Sequence, residues 1–380
     1  MRNLAGSIDP ERLTPTASLN RVQIVALPGV AVEPDVLGQT AYWLLRAQAL
    51  MDLVRERADR LGLRDVRDAE PGILLPRFDR CLVDGDGTVR EAAEAVARRF
   101  GQRLGFLILT LRRGDAANRR ARPDWAESYW AHWAAIRTIR VAGGIVSGNF
   151  GPRLVEHATR TLADAGMADC DVRLASWPAL LPLVGAARTA GPTSEAAVVF
   201  DFGHSFVKRG IGRYDGGRLT QLEVFPHLPA EGAAPLGDAE PTPEHAQHLG
   251  EFMANVMADA WRVARALGRS AGTTLVASIA SYVWDGQPLP RQGGAYAAPL
   301  SLSENMARWL SDRVSDRLGQ TITVTLLHDG TSAARAYAGE PRAAVIMMGT
   351  ALGVGFPPPV GSLRPLAPTF AIREPTSAAE

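Results

Sequence analysis

One stretch constrains the fold more than any other: Ala196 to Gly216, AAVVFDFGHSFVKRGIGRYDG. An apolar run ends on Asp201. A Gly turn follows, then a second strand-like run, Phe206 to Lys208, and a closing Gly/Asp turn. The pattern predicts a β-hairpin with an acid at the end of its first strand. Gly203 has no Cβ, so a ligand can approach the backbone closely there. Ser205 and the neighbouring N–H groups can donate to phosphate oxygens. Asp201 can hold a divalent cation, directly or through water. An ordinary hairpin with a surface turn fits the same residues, so the stretch alone does not decide.

A second region weighs against the ordinary hairpin. Leu326 to Glu340, LLHDGTSAARAYAGE, places an acid at a strand end before a small-residue helix start. Shortly after it, Ala343 to Phe356, AAVIMMGTALGVGF, is another apolar strand running into a Gly/Thr-rich bend. The two strand–Gly-turn units at 198–205 and 343–355 read as paired halves of a duplicated fold.

Together these segments resemble the actin-like ATPase and sugar-kinase superfamily, most closely the ROK and hexokinase-like kinases. Asp201 to Lys208 is similar to the first phosphate motif, His328 to Ala334 to the segment with the catalytic aspartate, and Gly349 to Gly355 to the second phosphate motif. The family order is altered. Thr138 to Phe150, TIRVAGGIVSGNF, resembles the adenosine motif, and Arg90 to Leu111 the helix before it, yet both precede the hairpin. The resemblance therefore implies a circularly permuted α/β chain: a two-lobed actin-like ATPase (ribonuclease H-like) fold with an interlobe nucleotide cleft. Permutation is tolerable because domain termini usually lie at the surface and often close together. The implied boundaries are a nucleotide lobe at 1–190, an acceptor lobe at 191–325, and a return to the nucleotide lobe at 326–380.

Phosphoryl transfer needs positioning, charge neutralisation and a base aimed at the acceptor hydroxyl. The resemblance implies a sugar kinase using ATP and Mg²⁺, acting on a small sugar-like molecule. Asp329 is the general base and Asp201 orients Mg²⁺. Gly203, Ser205, Gly349, Thr350 and Gly353 line phosphates, and Gly143 and Gly144 accommodate adenosine. Lys208 is either the family's basic residue after the first turn or a surface strand residue. His328 and Asp285 face the sugar, with Gln287 and Arg291 as further hydroxyl partners. His204 stands where a second glycine is usual, and His328 where an asparagine often binds sugar. Both departures favour the alternative, a sugar- or nucleotide-binding sensor without turnover. The family's Glu-x-x-His sugar element is not recognisable.

Composition narrows the classes. Lys plus Arg number 41 against 40 Asp plus Glu, a net charge of +1, which gives no footprint for nucleic acid or an anionic membrane. Two cysteines, Cys81 and Cys170, make neither a disulfide framework nor the cysteine-rich zinc loop of many ROK proteins. The N-terminal residues lack the apolar core of a secretory signal, and no apolar run spans a membrane, so the expectation is cytoplasmic. A homodimer is compatible with the resemblance.

Along the chain, 1–20 reads as a loose tail, 21–30 as a strand, and 40–61 as a helix. The stretch 62–88 reads as a connection with short strands. A long helix opens at Asp86 or Thr88. The basic run 112–125 reads as a solvated inserted loop, and Trp125, Trp130 and Trp133 as a packing stripe. The stretch 226–243 reads as a mobile loop, and 244–267 as an amphipathic helix whose His245 and His248 lie on a solvated start. The segment 281–296 reads as a loop over the sugar.

Overall fold

A strand buried on both faces reads as an unbroken apolar run, and Ala196–Phe202 is buried at every position. In the computed structural model the described residues are 8–191, 195–231, 242–268, 271–289, 296 and 298–373. In chain order the helices and strands are α1 (Ala41–Leu45), α2 (Ala47–Glu56), α3 (Pro71–Cys81), α4 (Gly87–Arg113), α5 (Ala116–Arg120), α6 (Glu127–Ala135), β1 (Thr138–Ala142), α7 (Phe150–Asp164), β2 (Asp171–Leu174) and α8 (Leu181–Arg188). There follow β3 (Ala196–Phe202), β4 (Phe206–Asp215), β5 (Arg218–Val224), β6 (Leu228–Pro229), α9 (Pro243–Ala266), β7 (Thr274–Ile279), β8 (Val283–Trp284), β9 (Gln287–Pro288), α10 (Met306–Leu318), β10 (Thr323–His328), α11 (Asp329–Arg335), β11 (Ala343–Met348), β12 (Leu352–Gly355) and β13 (Leu366–Arg373). The protein is mixed α/β with parallel sheets. No described helix is long and apolar enough to cross a membrane.

The chain forms two compact units. The first contains Thr16–Ala179 and Pro341–Val354, the second Pro10–Pro15, Leu180–Glu340 and the chain from Gly355. The sequence expectation assigned 326–380 to the lobe of 1–190, whereas 326–340 groups here with the hairpin.

In the second unit the strand order is β10-β7-β3-β4-β5-β13. Strands β3, β4 and β5 form an antiparallel meander, while β7 and β10 add parallel strands on the other side of β3. Alternation of side chains along a strand sends alternate residues to one face. Phe200, Phe202, Leu275, Ala277, Val324 and Leu326 share a core with Met253, Met257, Leu310 and Val314 of α9 and α10. Helix α8 packs beside α11. Gly185 is required there, because a Cβ would overlap the Ser332 carbonyl oxygen, and the Ser332 hydroxyl donates to the Pro182 carbonyl at 2.7 Å.

In the first unit the order is β12-β11-β1-β2, with β1 parallel to both β11 and β2. Strands β11 and β12 are sheet neighbours joined by Gly349 to Ala351. The two sheets therefore share a plan: hairpin partner, first strand, then two parallel strands. Chain order differs. In the second unit the hairpin precedes the long helix and the parallel strands. In the first unit α4, β1, α7 and β2 come first and the hairpin last. Helix α4 is started by Asp86, whose carboxylate accepts from Val89 N–H at 2.9 Å, and ends on Gly114 at φ 53°.

Several expectations change. Residues 13–20 are not a loose tail: Leu13, Ala17 and Leu19 are buried, and Asn20 exchanges hydrogen bonds with Leu352 N–H and C=O at 2.8 and 2.7 Å. The 21–30 stretch has only an isolated bridge, Gln23 to Thr40. The 62–88 connection contains helix α3, whose interior Pro76 hides the helical pattern. The basic run is not a solvated loop. Arg112 is buried, donating to the Ile136 carbonyl and pairing with Asp169 at 3.0 Å. Arg122 is 2% exposed and donates to the carbonyls of Ser18 and Thr16 and to Asp124. Trp125, Trp130 and Trp133 are buried together with it. In the expected loop at 226–243, residues 232–241 lie outside the described residues, as does Arg291.

Replacing Gly185 by Ala forces α8 and α11 apart; the expected loss, from denaturant melts, is about 3 kcal/mol or more. Acid should also unfold the protein through its first unit. Burial works against the charged form of Asp124, but Arg122 and Arg21 outweigh it and lower its pKa; Asp35 is lowered in the same way by Arg99 and Arg103. Depressed carboxylates give stability that is complete above their unfolded value and lost as pH falls through the folded one. The melting temperature should therefore drop below about pH 4, and Asp124→Asn should flatten that fall.

Candidate functional site

Strands β3, β7 and β10 are parallel neighbours in matched register: Asp201 lies beside Ser278, and Ser278 beside Leu327. Their carboxyl ends are therefore level. Ligands in open α/β sheets bind beyond such ends. Asp201, 3% exposed, closes this edge. Its Oδ2 accepts from Lys208 Nζ at 2.8 Å and its Oδ1 from Ser278 Oγ at 2.8 Å. Lys208 faces it because the two are register partners across the hairpin. Thus one buried carboxylate ties β3 to β4 and to β7.

The turn Gly203 to Ser205 joins β3 to β4. Gly203 N–H donates to Phe206 C=O at 3.1 Å, and Ser205 C=O accepts from Ala230 N–H at 3.1 Å. The buried Tyr296 hydroxyl donates to Gly203 C=O at 2.8 Å. Burial, and then the charge of Asp201, push that phenol far above its ordinary range. Ser278 and Tyr296 were not singled out in the sequence; the strand-end position of Ser278 was the available signal.

Strand β10 delivers His328 and Asp329. His328 Nδ1 accepts from Thr331 N–H at 3.2 Å, capping α11, while Nε2 lies 3.2 Å from Asp329 Oδ1. Nδ1 also lies 3.2 Å from the Thr331 hydroxyl, so one edge of the ring is turned to the start of α11 and the other to the Asp329 carboxylate. Gly330 N–H donates to the same Oδ1 at 2.6 Å. Tyr282 stacks on the imidazole with centroids 4.3 Å apart. Asp329 is thus fixed through one oxygen, and its side chain, 27% exposed, is far more accessible than that of Asp201. His328 was expected to face sugar; its ring is engaged as a cap and as the partner of Asp329.

A pocket of about 290 Å³ opens on the β10 edge, lined by Glu11, Arg12, Trp284, Asp285, His328, Thr331 and Arg335 among others. Arg335 pairs with Glu11 at 3.1 Å. Asp285 sits on its rim with φ 49°, followed by Gly286 at φ 79°, the two-residue turn between β8 and β9. An Asp-Gly pair is the turn that such a hairpin prefers, so Asp285 has a backbone reason to be there. Gln287, expected as a hydroxyl partner, instead donates to Ser303 C=O and accepts from Met306 N–H. The 281–296 segment begins as this hairpin rather than as a plain loop.

In the first unit Gly143 follows β1 at φ 111°, and a Cβ there would overlap the backbone of Met348. The chain end of β1 is thereby pressed against the end of β11, where Gly349 and Thr350 begin the turn. Gly144 follows with open space around its α-carbon, and Gly353 lies in β12. Gly143, Gly144, Gly349, Thr350 and Gly353 therefore belong to one unit, and Asp201, Gly203, Ser205, Lys208, Asp285, His328 and Asp329 to the other.

Among the described residues no group of three or more His, Cys, Asp or Glu side chains is placed to hold a metal. His245 and His248 belong to no such group. At Asp201 both oxygens are engaged, Oδ2 by the Lys208 ammonium and Oδ1 by the Ser278 hydroxyl, so the carboxylate does not fit direct coordination of a cation and fits only a contact with a hydrated one through a remaining lone pair. Cys81 and Cys170 are buried free thiols whose pKa values burial raises.

No known family profile matches the chain, and no curated protein matches it. Among solved structures it has a likeness to a crystal structure described as an exopolyphosphatase-like protein, 12% identical, with a TM-score of 0.28, covering 62% of this chain and 87% of that one.

Because the Asp201 carboxylate is buried, Lys208→Met should cost about 3–5 kcal/mol by leaving it without a counter-charge. The double variant Lys208→Met, Asp201→Asn should recover most of that loss. Denaturant melts of the four-member cycle measure the coupling; equal instability of single and double variants would refute the pairing.

Proposed function

We propose that this protein transfers a phosphoryl group from ATP to a hydroxyl of a small sugar-like acceptor. The observation that carries this reading is the level carboxyl edge of the second unit's sheet, where the Gly203–Ser205 turn, the Asp201–Lys208 pair and the His328–Asp329 pair stand at the ends of neighbouring strands. The matching plan of the two sheets, with a Gly-headed three-residue turn after the first strand of each, supports an actin-like, ribonuclease H-like duplicated fold. The displaced hairpin of the first unit supports a circular permutation of it.

In this reading Asp329 accepts the proton of the attacking hydroxyl. Gly330 N–H holds one of its oxygens and the His328 ring edge lies 3.2 Å from the same atom, so the carboxylate keeps a fixed orientation. Lys208 and Ser278 hold Asp201 at the edge, from which it meets the hydration shell of a nucleotide-bound Mg²⁺. When bound, that ion supplies charge neutralisation on the phosphates. Gly203 and Ser205 offer close backbone approach to phosphate oxygens. Gly144, Gly349 and Thr350 do the same for the nucleotide in their own unit, with Gly143 setting the end of β1 against β11 beside them.

A second reading, a binding protein without turnover, is favoured by one observation: the His328 ring is committed to capping α11 and to Asp329. Coupled ADP-release assays over sugars and polyols separate the two. The expected result is acceptor-dependent turnover that Asp329→Asn lowers by about 10²- to 10⁴-fold, with ATP affinity retained. Saturable ATP binding with no acceptor-dependent turnover would instead establish the binding protein.

A further inference from the structure

The turn Gly349 to Ala351 is held from outside at both ends by residues far earlier in the chain. Ala47 N–H donates to Gly349 C=O at 2.7 Å. Asn20, buried, exchanges two hydrogen bonds with Leu352 at the other end. The residue before Ala47 is Arg46, at the break between α1 and α2, with extended backbone at φ −70° and ψ 161°. Its guanidinium lies 3.9 Å from the Trp43 ring centroid and 4.5 Å from that of Tyr42. The two rings meet edge to face at 5.5 Å. Its Nε is buried with no hydrogen-bond partner, and no carboxylate among the described residues pairs with it.

This treatment differs from that of four other buried or half-buried arginines of the first unit. Arg99, Arg103, Arg112 and Arg122 each face a carboxylate. Arg46 has aromatic faces instead. A cation on an aromatic face is held by about 0.5–2 kcal/mol, less than a desolvated charge-assisted hydrogen bond supplies. Such a guanidinium is positioned yet keeps its planar fork of donors uncommitted, the geometry that recognises phosphate.

We propose that Arg46 is a phosphate-binding residue of the first unit, receiving the phosphate chain of a nucleotide at the Gly349–Thr350 turn, with Tyr42 and Trp43 holding the guanidinium ready. The inference rests on the ATP-binding reading above and adds the cation that reading lacks in this unit, since Lys208 belongs to the other one.

The test compares Arg46→Ala and Arg46→Gln with the natural protein, using calorimetric titration with ATP, with adenosine and with inorganic tripolyphosphate, after thermal melts confirm intact folding. The expected result is a loss of ATP and tripolyphosphate affinity of about 10- to 100-fold, with adenosine affinity unchanged and Arg46→Lys intermediate. Unchanged ATP affinity in folded Arg46→Ala would overturn the assignment while leaving the ATP reading standing. An equal loss for ATP and adenosine would also overturn it, because it marks a structural role. If Arg46→Ala does not fold, the Arg46→Gln titrations decide. Absence of ATP binding by the natural protein would overturn this inference and the ATP reading together.

Discussion

A buried carboxylate must be compensated or it neutralises, and at Asp201 the compensation comes from two different strands. Lys208 answers from β4 and Ser278 from β7. The arrangement works only if the hairpin register and the parallel register are both correct, since a slip of one residue in either would turn the partner to the opposite face. The position of the Gly203–Ser205 turn follows from it, because the turn begins two residues after the carboxylate. The end of β10 is level with it through the shared pairing of β7. These two contacts thus fix the edge at which the Gly203–Ser205 turn and the end of β10 stand.

The first unit reaches a comparable edge by different means. It has no buried acid at the end of β11; Met347 and Met348 stand there. Its turn is clamped by Asn20 and Ala47, residues supplied by the segment leading into the helices. Close approach of Gly143 to Met348 replaces the side-chain tie between neighbouring strand ends.

Legibility in the sequence followed how local each determinant is. The hairpin at Ala196, the strand ending at His328, and the helices α4 and α9 are legible, because apolar period and caps are written within each element. The Asp201–Lys208 contact is half legible: both residues stand out in the sequence, while their pairing depends on the register across the turn. Arg112 and Arg122 were misread, since a buried arginine and a solvated one share the same sequence neighbourhood; only the distant carbonyls of Ser18, Thr16 and Ile136 distinguish them. Asp285 has a local reason for its place that the sequence shows, the Asp-Gly pair of a hairpin turn. Tyr296 and Ser278 are not legible because their partners, Gly203 and Asp201, lie far away along the chain.

The strand order of the first unit carries a consequence for how the molecule comes into being. Strand β1 is central to its sheet, yet one of its two neighbours, β11, is made only after the entire meander, α9, α10 and β10 have been synthesised. A nascent chain must therefore carry β1 with an unpaired backbone edge while Leu180–Glu340 of the second unit is made. That segment holds β3 to β10 contiguous in sequence and can close all but its β13 edge first. The half-built sheet is the vulnerable intermediate, an open template for β pairing between chains, and its protection until β11 arrives falls to the helices that already cover it.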